Sequence, residues 1–179
     1  MNASYAVPLS ADTVRIERTL PGPIERVWQY LVDSDLRSQW LASGEIEPRV
    51  GGRVDHVWRN NALTQGDAPA PAKYAHIADE ARMQGRVTEY DPPRALAYTW
   101  GEDASTSSEV RYELTPQGDE VHLVLVHRRL SPESFNSVAA GWHTHLDILV
   151  ARMTDTVPEG FWRQHTRLER EYAARLPQR

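Results

Sequence analysis

The sequence predicts an α+β domain in which a curved antiparallel sheet of about six or seven strands wraps around one long C-terminal helix, with two short helices after the first strand. Three observations carry this. Seven short stretches alternate apolar and polar residues, turn-forming residues separate most neighbouring stretches, and a single long apolar stripe at helical spacing follows the last of them.

Residues 1–12 have no period and read as a tail. Thr13–Leu20 places Val14, Ile16 and Leu20 on one side and Arg15, Glu17 and Thr19 on the other, the mark of a half-buried strand. Pro21-Gly22-Pro23 ends it and opens a helix over Pro23–Asp33, in which Ile24, Val27, Trp28 and Leu31 share a face. A second short helix runs through Leu36 to Trp40, with Asp33 or Ser34 as cap. Glu45–Val50 and Arg53–Asn60 read as strands around a Gly51-Gly52 hairpin turn. The segment at about 61–81 loses the rhythm, and an unpatterned connection of that length is either a functional lid or a surface insertion. Arg82–Tyr90, Arg94–Gly101, Ser107–Thr115 and Glu120–Arg128 follow as strands of a meander, separated by Asp91-Pro92-Pro93, Gly101 to Ser105 and Gln117-Gly118-Asp119. The long helix spans about Ser134–Thr156 with Trp142, Leu146, Leu149 and Met153 as its stripe. A charged helical extension occupies 158–179, leaving 13–157 as the domain proper.

Composition narrows the function. The chain has 179 residues and no cysteine, so disulfide frameworks and thiolate chemistry are excluded. A formal charge of −5 supplies no phosphate-neutralising surplus, and the C-terminal arginines Arg163, Arg167, Arg170 and Arg175 are interspersed with Glu159, Glu169 and Glu171. Nucleic acid is therefore not expected as a partner, while that helix could serve as a homodimer contact. No apolar run reaches the ~20 residues of a membrane span and no export signal opens the chain, so the expectation is no membrane insertion and a cytoplasmic location. Six tryptophans against two phenylalanines are unusual for this size. Each tryptophan brings a large apolar face and an N–H that needs a partner.

Several motifs resemble one family. Pro21-Gly22-Pro23-Ile24-Glu25-Arg26-Val27-Trp28, then Leu31-Val32-Asp33 and Trp40, is similar to its opening helix pair. Gly85-x-Val87-x-Glu89-x-x-Pro92-Pro93-x-x-Leu96-x-Tyr98-x-Trp100 is similar to its hairpin. Val121-x-Leu123-x-Leu125-x-His127 and Gly141-Trp142 with Leu146 and Leu149 resemble its last strand and helix. These mark the SRPBCC (START/polyketide-cyclase-like) superfamily, in the branch resembling the activator of heat-shock-protein-90 ATPase, over roughly Thr13 to Thr156. The resemblance implies a helix-grip fold with a hydrophobic cavity for lipids, sterols, polyketides or other small apolar molecules. It does not fix one activity. The eukaryotic co-chaperone has an additional N-terminal domain for which this chain has no room, so chaperone activation is not expected.

Strand parity and the resemblance place His56, Trp58, Tyr98, Trp100, Tyr112, Leu125 and His127 on the inner face, facing His145 and Leu149 of the helix. Apolar walls with a few polar groups suit a small-molecule cavity, although the same residues could fill a solid core. Arg18 and Glu89 also fall inward by parity and are expected to form a structural ion pair, since a lone buried charge is costly. Spacing argues against a metal site: His143 and His145 diverge on a helix, and no acidic partner is assigned to the histidines. No cofactor is expected. The sequence thus favours a binding module for a small hydrophobic molecule. The alternatives are a cyclase- or hydrolase-type enzyme with Glu89 as base and His127 or His56 as acid, and a chaperone-linked adaptor.

Overall fold

A computed structural model describes residues 4–103 and 105–176. Residues 1–3 of the expected tail, residue 104 in the expected Gly101–Ser105 turn and residues 177–179 of the extension lie outside the described residues. Seven strands form one antiparallel sheet: β1 (Val7–Ser10), β2 (Thr13–Pro21), β3 (Arg53–Trp58), β4 (Ala81–Asp91), β5 (Ala95–Trp100), β6 (Ser108–Gln117) and β7 (Glu120–Arg128). Their order is β1-β2-β7-β6-β5-β4-β3, so the meander β3 to β7 is continuous and β2 closes on β7. Two short helices, α1 (Ile24–Val32) and α2 (Ser34–Ser38), follow β2, and the long helix α4 (Phe135–Met153) packs on one face of the sheet. This is the α+β helix-grip architecture.

The strand count agrees with the sequence, but one member changes at each end. Residues 45–50 make only an isolated bridge at Ile46 to Val54, because Pro48 lacks an N–H and the chain turns at once, Arg49 N donating to Glu47 O and Gly52 N to Arg49 O. In their place Val7–Ser10, read as tail, pairs with β2 as an edge strand. Its backbone is moored by a distant group: the Tyr172 hydroxyl accepts the Ala6 N–H at 2.7 Å.

Helix α4 is buried on more than its one predicted stripe. Trp142, Leu146, Leu149 and Met153 are buried, and so are His143, Thr144 and Ala151. The reason is helix α5 (Phe161–Arg175), which packs along α4 through Phe161, Trp162, Leu168 and Tyr172. The amphipathic pattern of α5 encodes that contact.

The segment between β3 and β4 carries two single 3₁₀ turns and the short helix α3 (Ala75–Ala78), and it is tied to α5. Asp67 accepts from the Trp162 N–H at 2.7 Å and the Arg163 N–H at 3.2 Å, and Thr64 Oγ1 accepts from the Phe161 N–H at 2.9 Å. The first turn of α5 is therefore capped from ninety-odd residues upstream, not by its own Gly160. Gly160 has to lack a side chain, since a Cβ there would lie 2.3 Å from Asp67 Oδ1. Tyr74 stacks on Trp162 at 5.6 Å and Lys73 pairs with Glu169 at 2.9 Å.

Candidate functional site

The pocket is built where the ends of β3, β5 and β7 meet the N-terminal half of α4. Period-two alternation turns Trp58, Trp100 and His127 toward the helix from their strands. Helical spacing brings Val138, Gly141, Trp142 and His145 onto the facing side, and Leu41, just after α2, closes the end. Together they enclose a cleft of about 120 Å³. Trp58 and Trp100 pack with ring centres 5.2 Å apart, and Trp142 meets Trp100 edge-on at 5.5 Å.

Hydrogen bonds fix the polar groups of this wall. The Trp142 indole N–H donates to His127 Nδ1 at 2.9 Å, so the proton of the neutral ring sits on Nε2 and is donated to Ser108 Oγ at 2.8 Å. Burial pushes the His127 pKa down to about 3. With both nitrogens engaged and the ring neutral, His127 is not the acid that the enzymatic reading required. His145 is different. Its Nδ1 contacts the Trp40 carbonyl at 2.7 Å and must donate to it, which leaves the lone pair on Nε2, at the pocket wall, without a hydrogen-bond partner among the described residues. Burial lowers its pKa to about 4, the Trp40 carbonyl opposing the shift.

Of the nine residues expected to line a cavity, Trp58, Trp100, His127 and His145 do so. Leu125 and Leu149 are fully buried core, and Tyr98 and Tyr112 lie deeper, their hydroxyls 2.9 Å apart, with Tyr112 behind Trp142. His56 is buried behind Trp58 and Trp100, its ring centre 5.1 and 5.9 Å from theirs. Desolvation, aided by the Arg37 charge, holds its pKa well below the ordinary value.

The expected Arg18–Glu89 pair does not form. Arg18 is inward and buried, but it pairs with Asp147 of α4 at 2.8 Å, and Gln164 of α5 donates to the other oxygen of Asp147 at 2.6 Å. Glu89 is on the opposite face, paired with Arg111 at 2.6 Å. A bulge explains this: Val87 sits opposite Tyr98 while Glu89 sits opposite Ala97, so Val87 and Thr88 together face one residue of β5 and parity inverts. Glu89 cannot serve as a base in the pocket. A wider groove of about 390 Å³ on that outer face is lined by Glu89, Arg111, Glu109 and Arg128, which pair among themselves.

Sequence reasoning missed Arg37. On α2 it reads as a solvated residue between Leu36 and Ser38, yet it is only 1 % exposed. Its guanidinium donates to the carbonyls of Leu31 at 3.2 Å, Val32 at 3.0 Å and Gly44. Trp142, which the sequence places on the α4 stripe, is also a pocket wall. Among the described residues no group of three His, Asp or Glu side chains is placed to hold a metal ion, and no helix is long and apolar enough to cross a membrane.

Residues 21–154 match the family described as Activator of Hsp90 ATPase homolog 1-like protein. The chain belongs to that family. A solved structure from Bordetella parapertussis, the protein encoded by BPP1335, is 37 % identical, with 98 % of this chain and 94 % of that one covered and a TM-score of 0.79. CalU16 from Micromonospora echinospora is 23 % identical over 90 % of this chain and 86 % of that one, with a TM-score of 0.65. The protein of unknown function EF2215 from Enterococcus faecalis is 20 % identical over 94 % and 87 %, also at 0.65. The last two likenesses speak for the fold alone. No curated protein matches the chain. Membership in this Hsp90-activator-like, SRPBCC-type family gives the pocket its context: it lies between sheet and long helix, on a fold that suggests a ligand-binding module or a cyclase-like protein.

Proposed function

We propose that this family member is a binding module for a small hydrophobic molecule held between the sheet and α4. The observation that carries the reading is a pocket walled by Trp58, Trp100 and Trp142 whose free hydrogen-bond acceptor is His145 Nε2. Apolar walls with one orienting polar group favour an aromatic ring bearing a donor, such as a phenol. The size of the pocket sets the scale. An apolar cavity of roughly 150 Å³ holds a benzene ring, while drug-sized ligands occupy roughly 300 Å³ or more. A pocket of about 120 Å³ thus suits a single ring, and is too small to enclose a whole lipid, sterol or polyketide. The cyclase or hydrolase alternative, with Glu89 as base and His127 or His56 as acid, has less support, since Glu89 lies on the outer face paired with Arg111.

Phenol titrated into ¹⁵N-labelled protein tests this directly. The indole N–H signals of Trp58, Trp100 and Trp142 should shift along one saturable curve. Those of Trp40 and Trp162, bonded to Tyr30 O and Asn61 Oδ1 away from the pocket, should stay in place. Shifts that never saturate, or that spread over all six tryptophans, would overturn the proposal.

A further inference from the structure

Behind the Trp58 and Trp100 rings lies a second, polar layer with an unusual imbalance. Arg37 is a buried cation with no carboxylate in ion-pair reach among the described residues, and its Nε–H has no acceptor. His56, also 1 % exposed, has no hydrogen-bond partner on either ring nitrogen among the described residues. Among the described residues the Tyr98 and Tyr112 hydroxyls bond only to each other, and since one O–H serves that contact, the other has a proton to give. These groups are neighbours: the His56 and Tyr98 rings are 5.1 Å apart, and the charge of Arg37 reaches His56, Tyr98 and Tyr112.

The inventory is one-sided. Three buried donors, on Arg37, His56 and one tyrosine, lack an acceptor among the described residues, a formal positive charge stands beside them, and the unspent acceptors are two neutral ones, the His56 lone pair and one tyrosine oxygen. Buried polar groups are nearly always satisfied, and removing a cation from water without an anion is expensive. A solid core could fill the same space with apolar side chains at lower cost. A donor-rich, cationic layer fits a negatively charged oxygen. The layer adjoins the proposed ring pocket, and the Trp58 and Trp100 rings stand between the two. Trp58 lies on the edge strand β3, is only half-buried, and its indole N–H makes no hydrogen bond among the described residues.

We propose that the Arg37–His56–Tyr98–Tyr112 cluster recognises the carboxylate of an arylcarboxylate whose ring occupies the pocket beside Trp58 and Trp100. This rests on the pocket reading above and adds the chemical class of ligand. Arg37 and the tyrosine hydroxyl supply charge-assisted hydrogen bonds to the carboxylate, and neutral His56 donates its one N–H to the same group. Trp58 turns aside to admit it.

The test compares benzoate with benzyl alcohol, which share a ring of one size and differ in charge, by calorimetric and NMR titration of the wild-type protein at neutral pH. Benzoate should bind roughly tenfold or more tightly than benzyl alcohol, the gain typical of hydrogen bonds to a charged group. In His56→Phe and in Tyr98→Phe that advantage should fall below about threefold while benzyl alcohol binds as before. Tyr98→Phe keeps the test valid should His56→Phe fail to fold. Benzyl alcohol binding in the pocket with no preference for benzoate would sink the carboxylate assignment and leave the pocket reading intact. Binding of neither compound would overturn both.

Discussion

Buried histidines are the residues on which this molecule's pH behaviour turns. His127 and His145 are held neutral with pKa values of about 3 and about 4, against an ordinary value of 6.5 in the unfolded chain. Between those limits the unfolded state binds more protons than the folded state, so stability rises with pH and is lost as pH falls from 6.5 toward 4. At pH 5 each such histidine costs about 2 kcal/mol relative to pH 7. Glutamine at position 127 can accept from Trp142 and donate to Ser108 without titrating. Urea unfolding of His127→Gln at pH 7 and pH 5 should therefore show a pH dependence flatter by about 2 kcal/mol than wild type. An unchanged slope would mean that His127 is not the buried neutral group described. At this same scale the sequence was least informative. Arg37 is exposed by every local criterion, and only the carbonyls of Leu31, Val32 and Gly44, brought together by the folded loop, make its burial tolerable.

At the scale of elements, local pattern succeeded where the pattern itself decides the structure. Alternation in Thr13–Leu20 and in the four strands after residue 80 gave the sheet, and the α4 stripe gave its cover. It failed where pairing decides. The bulge at Thr88 inverts the parity of Glu89, and nothing in the spacing of Val87 and Glu89 announces an extra residue opposite Tyr98. Close approach reinforces that geometry: a Cβ on Gly85 would lie 2.0 Å from the Thr99 carbonyl oxygen, so β4 and β5 come together there only because residue 85 is glycine. The 61–81 connection likewise gave no local clue to its role as the cap of α5. Replacing Asp67 by alanine leaves the Trp162 and Arg163 N–H groups without that acceptor. The expected cost is roughly 1–2 kcal/mol, measured by urea unfolding, with faster amide exchange in the first turn of α5. A variant of wild-type stability and exchange would show that the connection merely lies against the helix.

Across the whole molecule, one polar network fastens the N-terminal edge, the sheet and both long helices. Arg18 of β2 pairs with Asp147 of α4, Gln164 of α5 bonds the same carboxylate, and Tyr172 of α5 contacts His143 of α4 at 2.9 Å while accepting the Ala6 N–H. The described residues on either side of the expected 13–157 domain, from Ala6 to Tyr172, are thus bonded to the body. With α5 holding the back of α4, the helix presents Val138, Gly141, Trp142 and His145 to the sheet as one wall. The fold and four of the pocket's side chains were legible because strand parity and helix stripe point them inward. The same parity turns His56, Tyr98 and Tyr112 of the polar layer inward, but Arg37 was not legible, because α2 meets β3, β5 and β6 only when the sheet curves. The measurement that bears most directly on the central claim is anomalous X-ray scattering from crystals of the protein soaked with 4-iodophenol. The account predicts an iodine peak in the cleft between Trp58, Trp100 and Trp142, with the phenol oxygen at hydrogen-bond distance from His145 Nε2. Full diffraction with the cleft empty, or iodine bound only at other surfaces, would contradict it.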